Sequence, residues 1–188
     1  MSNQEFKFML KKLIKSVLNY CRMLVLFFRN NTFGKNNVVC KGALLLNCDI
    51  GNWCYLGMYS YFNHVKMGNY CSIAGNVTIG AMEHDYTDIS TSTFISEGGY
   101  DNRTTVLGNG VWIGAQCVIR QGVNIGNGAV IGANSFVNSD IPPYSIAFGT
   151  PARIYKFRFD KMQINKIENS KFWEFHPEDA KKIIELLK

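Results

Sequence analysis

The sequence predicts an all-β-dominated fold: a parallel β-helix with an N-terminal helix ahead of it and C-terminal helices behind it. Three observations carry that prediction. Large aliphatic residues recur every six positions, at Leu107, Ile113, Ile119, Ile125, Ile131 and Val137. A smaller side chain stands two residues ahead of each next aliphatic (Val111, Cys117, Val123, Ala129, Ser135). Gly108, Gly114, Gly126 and Gly132 follow the aliphatics directly. Side chains on a strand alternate faces with period two, so the small residue and the aliphatic after it point the same way. Gly and Asn take left-handed backbone angles at little cost. Each hexad therefore reads as one short strand plus one corner, and a short fixed repeat of this kind marks a solenoid whose ends need caps.

Residues 1–37 read as an N-terminal amphipathic helix and linker. Phe6, Leu10, Leu13, Val17 and Leu24 are interleaved with Lys7, Lys11, Lys12, Lys15, Arg22 and Arg29. The apolar run Met23–Phe28 is too short to span a bilayer, and no small-x-small cleavage pattern follows it, so no secretory leader is expected. Two readings stay open: a helix packed on the coil or on a neighbouring subunit, and a basic segment lying on an anionic membrane surface.

Residues 38–155 form the predicted β-helix. Its ladder opens with Val38, Leu44, Ile50, Leu56 and Phe62, slips by one residue, and continues through Met67, Ile73 and Ile79. Residues 81–106 contain no hexad. A structureless stretch longer than about 12–15 residues inside a compact domain is functional or disordered. This one carries His84 together with the anchors Tyr86, Phe94, Ile95 and Tyr100, which predicts an ordered, functional loop. Residues 156–188 form a helical tail. One helix starts near Asp160 and runs toward Ser170. A second opens at Pro177-Glu178-Asp179, which suits a helix N-terminus, and runs to Leu187. Phe172, Trp173 and Phe175 between them are read as packing residues.

The formal charge of +6 is concentrated in the first 29 residues, where the six cations named above face Glu5 alone. A generic basic surface for nucleic acid is therefore not expected. Of the six cysteines, Cys48, Cys54, Cys71 and Cys117 fall on the small inward position of a hexad, where free Cys acts as a small hydrophobe. No Cys-x-x-Cys pair occurs, which argues against a zinc site, and reduced thiols suit the cytoplasm.

The segments Gly108-Asn-Gly-Val-Trp112-Ile-Gly-Ala-Gln, Ile125-Gly-Asn-Gly-Ala-Val-Ile-Gly-Ala-Asn and Asp140-Ile-Pro-Pro-Tyr, followed by Gly149-Thr-Pro-Ala-Arg153, occur in that order. Together they resemble the hexapeptide-repeat acyltransferases over nearly the whole chain from residue 38. Gly57-Met-Tyr-Ser-Tyr61, Cys71-Ser-Ile-Ala, the histidine stretch closing with Ser92-Thr93-Phe94, and Arg158-Phe-Asp through Phe172-Trp173 are most similar to the chloramphenicol and streptogramin O-acetyltransferase branch. Polysaccharide O-acetyltransferases resemble that branch too. The resemblance implies a left-handed coil, a homotrimer, and acetyl-CoA as co-substrate without a metal.

The implied reaction is direct attack of an acceptor hydroxyl on the thioester. It needs a base that titrates near neutrality, and imidazole suits that task. His84 sits at the break in the ladder, where the family places its base. Asp85, Asp88, Glu83 or a backbone carbonyl could orient its ring. By resemblance, Trp112 lies beside the thioester end of CoA, Ala115 and Ala133 line the pantetheine arm, and Asn138, Ser139, Arg153 and Lys156 lie along the cofactor toward its phosphates. Sugar-acetylating relatives often carry Thr-Lys where Asn138-Ser139 stand. Tyr59 and Tyr61 match acceptor-pocket tyrosines, and Asp85 joins them as a substrate-side candidate. The expected function is O-acetylation of a sugar hydroxyl on a cell-surface polysaccharide or its precursor, in the cytoplasm or at the inner membrane face. Xenobiotic O-acetylation and sugar N-acetylation are the alternatives.

Overall fold

The computed structural model describes residues 29–95 and 103–188, with positions 10, 14, 17 and 18 ahead of them. The described chain winds into a triangular parallel β-helix of five complete turns and the start of a sixth. The first face holds Thr32–Phe33, Asp49–Ile50, Val65–Met67, Thr105–Leu107 and Asn124–Ile125. The second holds Val38–Val39, Tyr55–Leu56, Ser72–Ile73, Trp112–Ile113, Val130–Ile131 and Ser145–Gly149. The third holds Leu44–Leu46, Tyr61–Asn63, Thr78–Ala81, Val118–Arg120 and Phe136–Val137. Each strand pairs in parallel with its counterpart one turn away. The final strand, Ala152–Phe157, turns back antiparallel onto Ser145–Gly149 and ends the second face.

The coil begins at Thr32, ahead of Val38, and its opening turns correct the expected ladder phase. Val39 and Leu45 point inward, whereas Val38 is exposed and Leu44 half-buried. The reason is turn length. Corresponding residues lie 17 apart in the first turns and 18 apart after the excursion. The inward series therefore steps by five twice, from Leu45 to Ile50 and from Phe62 to Met67. Both short steps fall at the third-to-first corner, where Asn47 and His64 carry positive φ of 53° and 50°. A strict six counted backward from Ile50 lands one residue early.

From Ile50 onward the predicted aliphatics are the core, and Cys48, Cys54, Cys71 and Cys117 sit buried beside them. Outside it the tail forms a smaller cluster. Helix α1 (Lys161–Ser170) is N-capped by Asp160, whose carboxylate accepts from the Gln163 amide at 2.8 Å. Helix α2 (Pro177–Leu186) opens on Pro177 with Glu178 and Asp179 in its first turn. Trp173 and Ile167 pack with Tyr144 against the first-to-second corner of the coil. Predicted packing thus holds for Trp173, while Phe175 stays largely exposed. Among the described residues no helix is long and apolar enough to cross a membrane.

Adjacent side chains on these strands have opposite value. Ile113→Ala removes a side chain that is 0% exposed and is expected to cost about 2–5 kcal/mol of unfolding free energy. Lys66→Ala, on an outward position of the first face, should change it by less than about 0.5 kcal/mol. Urea unfolding of both variants checks the assignment, and similar losses would contradict the inward register.

Candidate active site

Among the described residues, the long interruption of the coil leaves from the third-to-first corner after Ala81 and returns at Thr105. Gly80 makes the exit possible. Its φ is +70°, and a Cβ there would stand 2.2 Å from the Asn63 carbonyl oxygen. The returning strand is tied down at once, since the Thr105 amide donates to the His64 carbonyl at 2.9 Å. Between these points the chain carries His84.

Nδ1 of His84 lies 2.6 Å from the Thr91 carbonyl oxygen. A carbonyl only accepts, so the proton belongs on Nδ1 and the basic lone pair on Nε2. Of the four orienting groups left open by the sequence, a backbone carbonyl, that of Thr91, meets Nδ1. The carboxylates are engaged elsewhere. Asp85 accepts from the Thr87 amide at 2.8 Å and its hydroxyl at 2.6 Å, and the Thr87 hydroxyl and amide hold its pKa below the usual carboxylate value. Asp88 accepts from the Ile89 amide at 2.6 Å. Glu83 receives two hydrogen bonds from Arg120, from Nε and Nη2, both 2.6 Å, and the guanidinium lowers the Glu83 pKa. Arg120 gave no motif signal. Its one mark is positional: the equivalent site carries Leu46, Asn63 and Asn138 on other turns.

The remaining candidates are spread over two corners, two faces and the final strand. Tyr59, Ala115 and Ala133 share the second-to-third corner, where the Asn134 amide bonds to the Ala115 carbonyl at 2.9 Å. Tyr59 is exposed with φ of 56°, its ring over Gly42. Tyr61 is half-buried on the third face, paired with Leu44 and Thr78. Asn138 and Ser139 are exposed on the third-to-first corner, two turns beyond the excursion. Trp112 stands outward on the second face, 55% exposed. Arg153 and Lys156 are exposed on the final antiparallel strand. One chain thus brings His84, Asn138 and Ser139 to one corner, and Tyr59, Ala115 and Ala133 to another, with the third face between them.

A cavity of about 600 Å³ lies elsewhere. It opens between the first-to-second corner and the tail, walled by Gly110, Gly128, Tyr144, Phe159, Trp173 and Leu187. His84 does not line it. No group of His, Cys, Asp and Glu among the described residues could hold a metal.

The family described as bacterial transferase hexapeptide (six repeats) matches residues 104–139. A probable macrolide acetyltransferase of Lysinibacillus sphaericus is 35% identical over 135 residues, 64% of this chain and 75% of that protein. A galactoside O-acetyltransferase of Lactococcus lactis is 30% identical over 153 residues, 78% of this chain and 64% of that protein. The chain spans 66% of a chloramphenicol acetyltransferase of Agrobacterium fabrum that it matches at 33% identity over 139 residues, again 66% of this chain. Among solved structures, a hexapeptide-repeat acetyltransferase of Vibrio cholerae complexed with acetyl-coenzyme A superposes with a TM-score of 0.61 at 25% identity, covering 77% of this chain and 79% of that one.

The described cysteines are free thiols. Burial pushes Cys48 up to about 11 and raises Cys71 and Cys117 as well, so these three carry little nucleophilic thiolate at neutral pH. Iodoacetamide on the folded protein is expected to label half-buried Cys40 well before Cys48, Cys71 and Cys117, and all four readily in denaturant. Peptide mapping by mass spectrometry reads the order. Equal native rates would contradict the inward placement.

Proposed function

Because this chain belongs to the bacterial hexapeptide-repeat acetyltransferase family, we propose that it is an acetyl-CoA-dependent O-acetyltransferase. In this reading it modifies a sugar hydroxyl of a cell-surface polysaccharide or its precursor, with His84 as general base. The observation that carries it is the His84 Nδ1 contact to the Thr91 carbonyl. That contact assigns the proton to Nδ1 and the basic lone pair to Nε2, the nitrogen that takes the acceptor proton in this reading.

The chemistry follows from that tautomer. Nε2 takes the acceptor O–H proton as the oxygen attacks the thioester carbonyl carbon. The tetrahedral intermediate collapses, the C–S bond breaks, and the leaving thiolate takes the proton back from the imidazolium. No protein nucleophile takes part.

The cofactor fits the second-to-third corner. In the three turns around the excursion that corner presents Gly75, Ala115 and Ala133, where the preceding turns carry Lys41 and Met58. Small residues there leave a backbone-lined strip on which a pantetheine arm can lie, with Trp112 on the adjoining face and Arg153 and Lys156 placed for phosphate. Asn138 and Ser139 then belong to the corner of the base. The two sets lie on different edges of one chain, which favours a homotrimer in which the strip of one subunit meets the histidine corner of the next. Tyr55, Trp112, Val118 and Phe148 give the second and third faces an exposed apolar surface suited to that contact. Tyr59, Tyr61 and Asp85 remain the acceptor-side candidates.

A second reading, acetylation of a xenobiotic hydroxyl, is favoured by the relatives named chloramphenicol and macrolide acetyltransferases. Thiol release from acetyl-CoA with glycan, chloramphenicol and amino-sugar acceptors separates the readings. His84→Ala is expected to lower turnover about 10²–10⁴-fold on whichever acceptor is used. Undiminished turnover would remove the base assignment. Efficient use of chloramphenicol at low concentration, without glycan activity, would favour the second reading.

We also place the protein in the cytoplasm, with residues 1–29 touching the inner membrane face. Leu10, Ile14, Val17 and Leu18 are helical and exposed at spacings that share one helix side, and the cations of this segment suit anionic lipid. Flotation with anionic liposomes should carry the full chain upward and leave a chain lacking residues 1–29 at the bottom. Equal behaviour would rule out the contact.

A further inference from the structure

Arg120 and Glu83 form an ion pair that the coil itself does not require. The residue in Arg120's place on the third face is Leu46 on the first turn, Asn63 on the second and Asn138 on the fifth, so stacking is satisfied by apolar or neutral side chains there. The cation appears on the turn directly above the exit of the excursion, where Arg120 pairs with Ala81 across a register shift. From that place it reaches the departing chain, donating two hydrogen bonds of 2.6 Å to the Glu83 carboxylate. His84 is the next residue along the chain.

We infer that Arg120 is a positioning residue for His84, acting through Glu83. The inference rests on the reading of His84 as the base. Two parallel hydrogen bonds from a planar guanidinium fix direction as well as distance. They hold the backbone on the N-terminal side of His84 against the rigid face of the coil. The Thr91 carbonyl then sets the ring's rotation. Both partners are about one-third exposed, at 35% and 31%, and pairs of that kind add little to global stability. A stability role thus explains the pair poorly. Placement explains it well, since an error of about 1 Å in a catalytic group can lower rate about a hundredfold.

The test uses the full-length protein carrying Arg120→Ala, Glu83→Gln or both, beside Arg120→Lys. Each single change is expected to lower kcat about 10–100-fold with little change in KM for acetyl-CoA, and the double variant should be no worse than the poorer single one. Lys is expected to restore only part of the loss because it cannot make the paired contact. The melting midpoint should move by less than about 4 °C. An independent readout is the His84 ring resonance in NMR, identified by its loss in His84→Ala. In Arg120→Ala it should shift and broaden while the His64 and His176 signals stay in place. If the His84 signal is unchanged, or if the losses in kcat simply multiply in the double variant, Arg120 does not position His84. Loss of the NMR change would overturn this inference alone, whereas full activity in His84→Ala would overturn the base assignment and leave the NMR result to judge the placement.

Discussion

Every turn of this protein must let the next turn's corner come close enough to share backbone hydrogen bonds, and that approach governs the rest. At the first-to-second corner the contact runs through asparagine. Asn52 accepts from the Lys35 amide, Asn69 from Asn52, Asn109 from Asn69 and Asn127 from Asn109, all at 2.7–2.8 Å. The carbonyl of each side chain thus satisfies an amide one turn below. Room for it exists because the preceding residue has no side chain. A Cβ on Gly51, Gly68 or Gly108 would stand 2.5–2.6 Å from the next Asn oxygen. The Gly-Asn pair is one steric and one hydrogen-bonding requirement met together.

The ladder also explains where the tail docks. Its last member, Asn127, has no further asparagine to meet and instead donates to both Glu168 oxygens at 3.1 Å. Lower down, Asn69 donates to the Trp173 carbonyl at 2.9 Å, and the Tyr70 hydroxyl to the Phe175 carbonyl at 2.7 Å. Trp53 stacks on Tyr70 with centroids 5.1 Å apart and meets His176 edge-on. His176 therefore belongs to tail packing. Burial and the neighbouring Glu168 carboxylate raise the Tyr144 pKa, so its phenol stays protonated.

The parts of this architecture that repeat were legible in the sequence, and the parts that depend on one contact were not. Leu107 to Val137 announced their inward positions because each turn there has 18 residues and divides evenly into hexads. Val38 and Leu44 misled because a 17-residue turn hides its missing residue in a corner, where neither Leu46 nor Asn47 looks unusual. The inward cysteines, both tail helices and the excursion around His84 were equally visible, each from a local pattern. The Thr91 carbonyl was not, because a backbone group carries no sequence signal. Arg120 was readable only after the turns were aligned, when it stood in a column otherwise filled by Leu, Asn and Gly.

The corners also explain why the histidine sits where it does. The first-to-second corner is closed by the asparagine ladder and covered by the tail. The second-to-third corner keeps one geometry throughout: an amide of each turn bonds to the turn before, from Tyr59 to Lys41, Asn76 to Met58, Gln116 to Gly75 and Asn134 to Ala115. Only the third-to-first corner changes length, with Leu46-Asn47 and Asn63-His64 on early turns and Arg120-Gln121-Gly122 later. A corner that tolerates an extra residue can tolerate a longer insertion, because the entropy of closing a loop grows only slowly with its length. What the insertion costs is local order, and this structure restores it with contacts at both ends: Arg120 on Glu83 where the chain leaves, and Thr105 on His64 where it returns. A histidine on such a loop is held by the rigid stack beside it, so the regular turns fix its place through the side chains they aim outward at the irregular segment.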